Sequence, residues 1–366
     1  MKQNCLYYAL LLIVVTLYSC SEDPPLEFYE DKEIVQLLHS TKGKGIDLVF
    51  MGDGFTYKDL AKGRGKYEKS VRRAVDYFFS VEPYKSYRDY FNVYMIVAES
   101  EDEGIPLYGE PDYNIKFNSK HGNDSLNRRI TFDSNTAVEY VNLFIESKGN
   151  VDIGDITTTI ILNSQKYQGT CYLWTDGFSV SLCPISNSSA PYDFRGLINH
   201  ETGGHGFAKL ADEYTESKNW GKYITEDEKD NVRWWQDMGF YRNVDFTRIL
   251  DDILWKDFIS LPAYKDCVNA FQGAYYYNYG AWRPEQNSCM INNIPYYNAP
   301  SRWLIMKKIK EMAGESFTFN DFLRADEKNT KDWQKYRLKS GQETMIPTAT
   351  PVFVDFEQNY GKEILK

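Results

Sequence analysis

Apolar and polar positions along the chain follow two rhythms. Ile46–Met51 is a short, nearly unbroken apolar run that ends at Gly52-Asp53-Gly54, which predicts a buried strand entering a tight turn. Leu60, Tyr67, Val71, Val75 and Phe78 then recur at helical spacing. The basic residues between Lys58 and Arg73 read as the solvated face of that helix. A second strand is predicted over Asn92–Ala98, an amphipathic helix over Ala137–Ile145, and a third strand, rich in β-branched residues, over Thr157–Leu162. Alternation of strands and helices over residues 46–209 predicts the α/β class, with a mixed, largely parallel twisted sheet. Trp174-Thr175-Asp176-Gly177 reads as a turn between two strand-like runs. Beyond Phe317 the chain is polar, with one helix-like piece and a late strand-like Val352-Phe353-Val354.

Composition narrows the class. The 366 residues carry a net charge of −10, the wrong sign for a general nucleic-acid binder, so none is expected as a partner. Lys2 precedes an uncharged apolar stretch, Cys5 to Tyr18, too short to span a bilayer and patterned as a secretory signal. It ends Leu17-Tyr18-Ser19-Cys20, which resembles the lipobox of bacterial lipoproteins, with Cys20 as the lipidated residue. The acidic Ser21-Glu22-Asp23-Pro24-Pro25 resembles the tether of surface-exposed Bacteroidetes lipoproteins. The expected organisation is a signal over 1–19, a tether and lead-in over 20–44, one main domain over 45–315, and a C-terminal extension over 316–366 packed on it. Export implies an oxidising compartment. Cys171 and Cys183 flank the predicted turn and could bridge a hairpin, leaving Cys267 and Cys289 as a second pair. Four free buried thiols are the alternative.

The chemistry concentrates in residues 194–214. Only four histidines occur, His39, His121, His200 and His205, and two of them sit beside a glutamate in His200-Glu201-Thr202-Gly203-Gly204-His205. In the motif H-E-x-x-H, two histidines one helical turn apart bind one zinc and the glutamate activates a water. Here the spacing is five residues, about 140° apart on a regular helix and too far for one ion. A π-bulge absorbs the extra residue, and Gly203-Gly204 supplies the backbone latitude for it. A catalytic zinc needs a third protein ligand. Asp212 is the first choice and Glu213 the second. Glu201 would serve as general base. A phenol from Tyr214, Tyr296 or Tyr297 could stabilise the oxyanion. A calcium site near Asp53 or Glu101-Asp102-Glu103 has no motif behind it.

The inserted residue is similar to the H-E-x-x-G-H motif of dipeptidyl peptidase III enzymes. Over a longer span, His200 to Tyr214 resembles the active-site signature of the IgA-type metallopeptidases, peptidase family M64. Supporting pieces follow in order: Ile46 to Thr56, Tyr90 to Tyr94, Ile160 to Ser164, Trp282 to Met290 and Asn298 to Arg302. Two departures stand out: the commoner family motif has a four-residue histidine spacing, and Ala208 replaces a usual glycine. The resemblance implies a secreted zinc endopeptidase of zincin, metzincin-like fold, lipid-anchored at the outer membrane and acting on extracellular proteins or peptides. It also suggests that Met290 forms a methionine turn beneath the zinc; core filling is the plain alternative. The competing reading is a non-catalytic surface lipoprotein that binds glycans or host proteins, including a zinc-less pseudo-peptidase. Aromatics at 16%, with runs such as Tyr275-Tyr276-Tyr277 and Trp234-Trp235, support it. Substrate preference and oligomeric state have no sequence signal.

Overall fold

The computed structural model describes residues 26–125, 127–337 and 347–354. The export signal and Cys20 lie outside the described residues. The elements in chain order are β1 Ile34–Leu38, β2 Ile46–Asp53, α1 Lys66–Phe78, β3 Phe91–Ile96, α2 Ser134–Lys148, β4 Thr157–Leu162, β5 Thr170–Trp174 and β6 Ser179–Pro184. Next, α3 Phe194–Leu197 runs directly into a π-helical stretch, Ile198–Phe207. After it come α4 Glu226–Asp237, α5 Lys256–Ile259, the hairpin β7 Phe271–Ala274 and β8 Tyr277–Arg283, α6 Cys289–Asn292, α7 Ala299–Met312, α8 Phe319–Asp326 and β9 Val352–Val354.

Seven strands form one sheet in the order β1-β3-β2-β4-β6-β5-β9. β3, β2, β4 and β6 are mutually parallel; β1 runs antiparallel to β3 and β5 antiparallel to β6, while β9 lies parallel to β5. The class is therefore mixed α/β with a largely parallel sheet. Alternation along each strand feeds two cores. Leu48 and Phe50 of β2 enter one core with α1, α7 and the π-helical stretch, while Val49 and Met51 enter the other with α2. Both faces being covered, β4 and β6 are buried along their whole length. Among the described residues no helix is long and apolar enough to cross a membrane.

Several expectations shift. Leu60 belongs to a separate 3₁₀ turn, and α1 begins only at Lys66. The chain makes this break at Gly65, where an added Cβ would stand 2.0 Å from the Asp59 carbonyl oxygen. The lead-in is shorter than the pattern suggests, because Ile34–Leu38 pairs with β3 and Tyr29 is buried in the core. Polar composition beyond Phe317 hides a second structural role. Phe322 is fully buried, and a buried Arg302–Asp326 ion pair ties α8 to α7.

The disulfide expectation does not hold: Cys171, Cys183, Cys267 and Cys289 are all free and buried. The hairpin register places Ser181, not Cys183, opposite Cys171, and the Ser181 hydroxyl contacts the Cys171 sulfur at 3.4 Å. The Cys183 thiol instead faces the Leu197 carbonyl, and that of Cys267 the Tyr264 carbonyl.

Candidate active site

The five-residue histidine spacing is accommodated by the helix itself. Ile198–Phe207 is π-helical over ten residues, longer than the single bulge the spacing requires. A π turn stacks residues i and i+5, so His200 and His205 come onto one side, ring centroids 4.7 Å apart. The two glycines are needed for close approach. A Cβ on Gly203 would stand 2.5 Å from the Tyr297 hydroxyl, and one on Gly204 would stand 2.3 Å from the Met290 sulfur. Ala208 keeps an ordinary backbone, and the left-handed turn that ends the helix falls on Lys209, at φ 57°. That turn sends the chain back so that Asp212 faces both histidines.

Each imidazole is oriented by a backbone carbonyl. His200 Nδ1 lies 3.0 Å from the Cys289 oxygen and His205 Nδ1 lies 2.7 Å from the Leu210 oxygen. Donating from Nδ1 leaves Nε2 of each ring with a lone pair available to a metal. The Asp212 Oδ1 stands 2.9 Å from His200 Nε2 and 3.3 Å from His205 Nε2. Its other oxygen accepts a hydrogen bond from the Tyr276 hydroxyl at 2.5 Å. Among the described residues, this is one group of His, Cys, Asp or Glu side chains whose ligand atoms converge, all within 4.8 Å of one another. Ligands about 2.0–2.1 Å from a tetrahedral zinc stand about 3.3 Å apart, so the set fits such an ion. Two further observations agree. His205 Nε2 and both Glu201 carboxylate oxygens are buried without a hydrogen-bond partner, an arrangement that is costly unless something polar belongs there.

Burial and mutual charge govern the electrostatics. Burial pushes the His200 imidazole down, but the Asp212 carboxylate outweighs it and raises the pKa to about 9. Burial pushes Asp212 up, yet the two imidazoles hold it well below the usual carboxylate range. Burial dominates at Glu201 and raises its carboxyl above the ordinary value. Gly169 lies directly against that carboxyl, where a Cβ would stand 2.5 Å from Oε1.

The remaining candidates separate cleanly. Glu213 faces away from the cluster and accepts hydrogen bonds from Asn243, Ser288 and Asn298, so it pins loops and is not a third ligand. Tyr296 donates to Glu285 and Tyr297 to the Asn199 carbonyl, which commits both phenols elsewhere. Tyr214 remains near the cluster, its hydroxyl 3.4 Å from the Thr348 oxygen. Met290 sits directly under Gly204, and its carbonyl accepts the Glu213 backbone N–H. The Asp53 carboxylate is filled by Gly54, Ser100, Phe117 and Ser119, a clamp on two loops and no cation cradle. The Glu101 and Asp102 carboxylates both bond Asn114. His121 bridges Gln168 and Ser164, and His39 is exposed beside Gln36.

Sequence reasoning missed Tyr276, Gly169 and Thr348. Tyr276 was visible only as one of an aromatic run, and no spacing singled it out. Tyr276 of that run packs inward, whereas Trp234 is exposed and Trp235 half-buried. Tyr275 and Tyr276 line the cores near the cluster, and Trp235 stacks on Phe353.

A search of the curated proteins returns no match to the chain. The family model described as IgA Peptidase M64 matches residues 35–260, a span that contains the π-helical stretch, Glu201 and all three converging side chains. The chain belongs to the IgA peptidase M64 family.

Proposed function

We propose that this protein is a zinc-dependent endopeptidase of zincin-like fold, exported and held at the outer membrane by a lipid on Cys20, acting on extracellular proteins. Membership of a peptidase family makes it a hydrolase of peptide bonds. The observation that carries the zinc reading is the buried convergence of His200, His205 and Asp212 next to an unpartnered Glu201. The methionine under Gly204 supports the metzincin-like comparison.

When bound by these three side chains, the ion supplies Lewis acidity toward a water and toward the scissile carbonyl. Backbone carbonyls fix both imidazoles before any ligand arrives, so little reorganisation is needed. Tyr276 holds the far oxygen of Asp212 and so directs the near one at the histidines. Glu201, with its basicity raised by burial, takes the proton of the attacking water and delivers it to the leaving amine. Of Tyr214, Tyr296 and Tyr297, the reading assigns the oxyanion role to Tyr214, because the other two phenols are committed to Glu285 and the Asn199 carbonyl.

The test is metal content alongside cleavage of a diverse peptide pool. Glu201→Gln should retain zinc and lose cleavage; His205→Ala should lose both. A chain that holds no metal, or a Glu201→Gln protein that still cleaves, would refute the reading. Palmitate labelling of the full chain, lost in Cys20→Ala, checks the anchor separately.

A further inference from the structure

Glu201, His200, His205 and Asp212 are each at most 1% exposed, so no peptide can reach them in this conformation. Part of the cover comes from residues 347–354, far along the chain from the site. Thr348, itself 2% exposed, lies next to Glu201. The Ala349 N–H donates to the carbonyl of Gly169, the residue packed on the Glu201 carboxyl. The Thr348 carbonyl accepts from Arg128 Nε at 3.3 Å and from the Tyr214 hydroxyl at 3.4 Å. The segment then continues as β9, parallel to β5, with Val352 opposite Tyr172 and Val354 opposite Trp174.

Its strand pairing is short. β9 has three residues and forms the outermost strand of the sheet. Near the site the segment is held through its backbone, by hydrogen bonds that any extended chain could make. Val352 and Val354 are buried in the second core, and between them the half-buried Phe353 stacks on Trp235 at a centroid distance of 3.4 Å and packs on Phe240 and Tyr241. Two cavities flank the segment, of about 430 Å³ and 460 Å³. Arg128 and Glu216 line both, Pro347 borders the first, and Ala349 to Phe353 border the second. Thr348, which lies beside Glu201, sits between the residues that border the two.

We propose that residues 347–354 form an autoinhibitory strap that occupies the β5 edge and seals Glu201, and that extended peptides enter by displacing it. Only the cleavage arm of the test rests on the peptidase reading. In the full chain, Phe353→Asp removes the aromatic anchor and places a charge in its pocket. Accessibility is read without metal or catalysis: Glu201→Cys is reacted with a small methanethiosulfonate reagent, with and without Phe353→Asp. Labelling of the same chains with Glu201 intact is subtracted. If the strap opens in roughly 1–10% of molecules, releasing it should speed labelling about tenfold to a hundredfold. With Glu201 intact, Phe353→Asp should raise peptide cleavage by a similar factor, and a synthetic peptide of residues 347–354 should suppress it. Equal labelling rates in folded proteins would overturn the strap, whatever the cleavage result. Faster labelling with no cleavage by any Glu201 form would keep the strap and count against the peptidase reading. Should Phe353→Asp fail to fold, Ala349→Pro, which removes the N–H bonded to Gly169, is held to the same outcomes.

Discussion

Gly203→Ala isolates the packing that makes the π-helical stretch fit. The added Cβ would stand 2.5 Å from the Tyr297 hydroxyl, 3.1 Å from Tyr84 Cε2 and 3.6 Å from Tyr297 Cζ. Both rings are fully buried and part of one aromatic cluster, so neither can swing aside. Overpacking of this kind costs about 1–3 kcal/mol. Alanine's better helix propensity returns at most about 1 kcal/mol, so the net effect is a loss. Removing the offending oxygen changes the outcome. Tyr297→Phe alone loses one hydrogen bond to the Asn199 carbonyl, about 0.5–1.5 kcal/mol. In the double variant the nearest atom to the new Cβ is the one at 3.1 Å, a contact that small shifts relieve. The double variant should therefore be about 1–2 kcal/mol more stable than the sum of the singles, within the range found for touching residues. Urea unfolding of all four proteins, compared at equal slope, measures this. Additivity within about 0.5 kcal/mol would refute the claim that the Tyr297 hydroxyl is what requires glycine at 203.

Four further outcomes are expected. Tyr276→Phe leaves the ligand set intact but frees the outer oxygen of Asp212, and should weaken zinc affinity about 10–100-fold in a competitive chelator titration. Asp326→Ala strands the buried Arg302 and should cost about 3–5 kcal/mol. Arg233→Ala, which breaks an exposed pair with Asp230, should cost about 0–1 kcal/mol in the same urea series. Burial lowers the His121 imidazole to about 4, below its unfolded value of 6.5. The neutral ring is thus favoured in the fold, and stability present above pH 6.5 is lost as pH falls toward 4, by up to about 3 kcal/mol. His121→Gln should flatten the stability profile across that window, and an unchanged slope would sink the assignment.

The legible part of the molecule was its periodic part. Thr157–Leu162 is β4 residue for residue because an unbroken β-branched run between turns has few other uses. The His200-Glu201-Thr202-Gly203-Gly204-His205 segment pointed to a π distortion because helical geometry leaves a five-residue spacing no other way to bring two rings together. Asp212 could be preferred to Glu213 only by its distance past the helix; the structure separates them by which carboxylate finds donors elsewhere. Tyr276 and Thr348 were not legible, because they reach the cluster through long-range contacts across the sheet edge and the β7–β8 hairpin, which no local pattern encodes. The disulfides failed for a related reason. An even number of cysteines and an expected export signal say nothing of strand register, and register put Ser181 opposite Cys171.

X-ray absorption at the zinc edge tests the central claim most directly, since it reads ligand identity rather than activity. The purified chain should hold about one zinc with only nitrogen and oxygen neighbours, at about 2.0–2.2 Å. Asp212→Ala should lower its affinity and change that shell, while Glu213→Ala should leave the shell as it is. A shell containing sulfur at about 2.3 Å, or a chain that binds no zinc, would contradict the assignment of His200, His205 and Asp212 as a metal site.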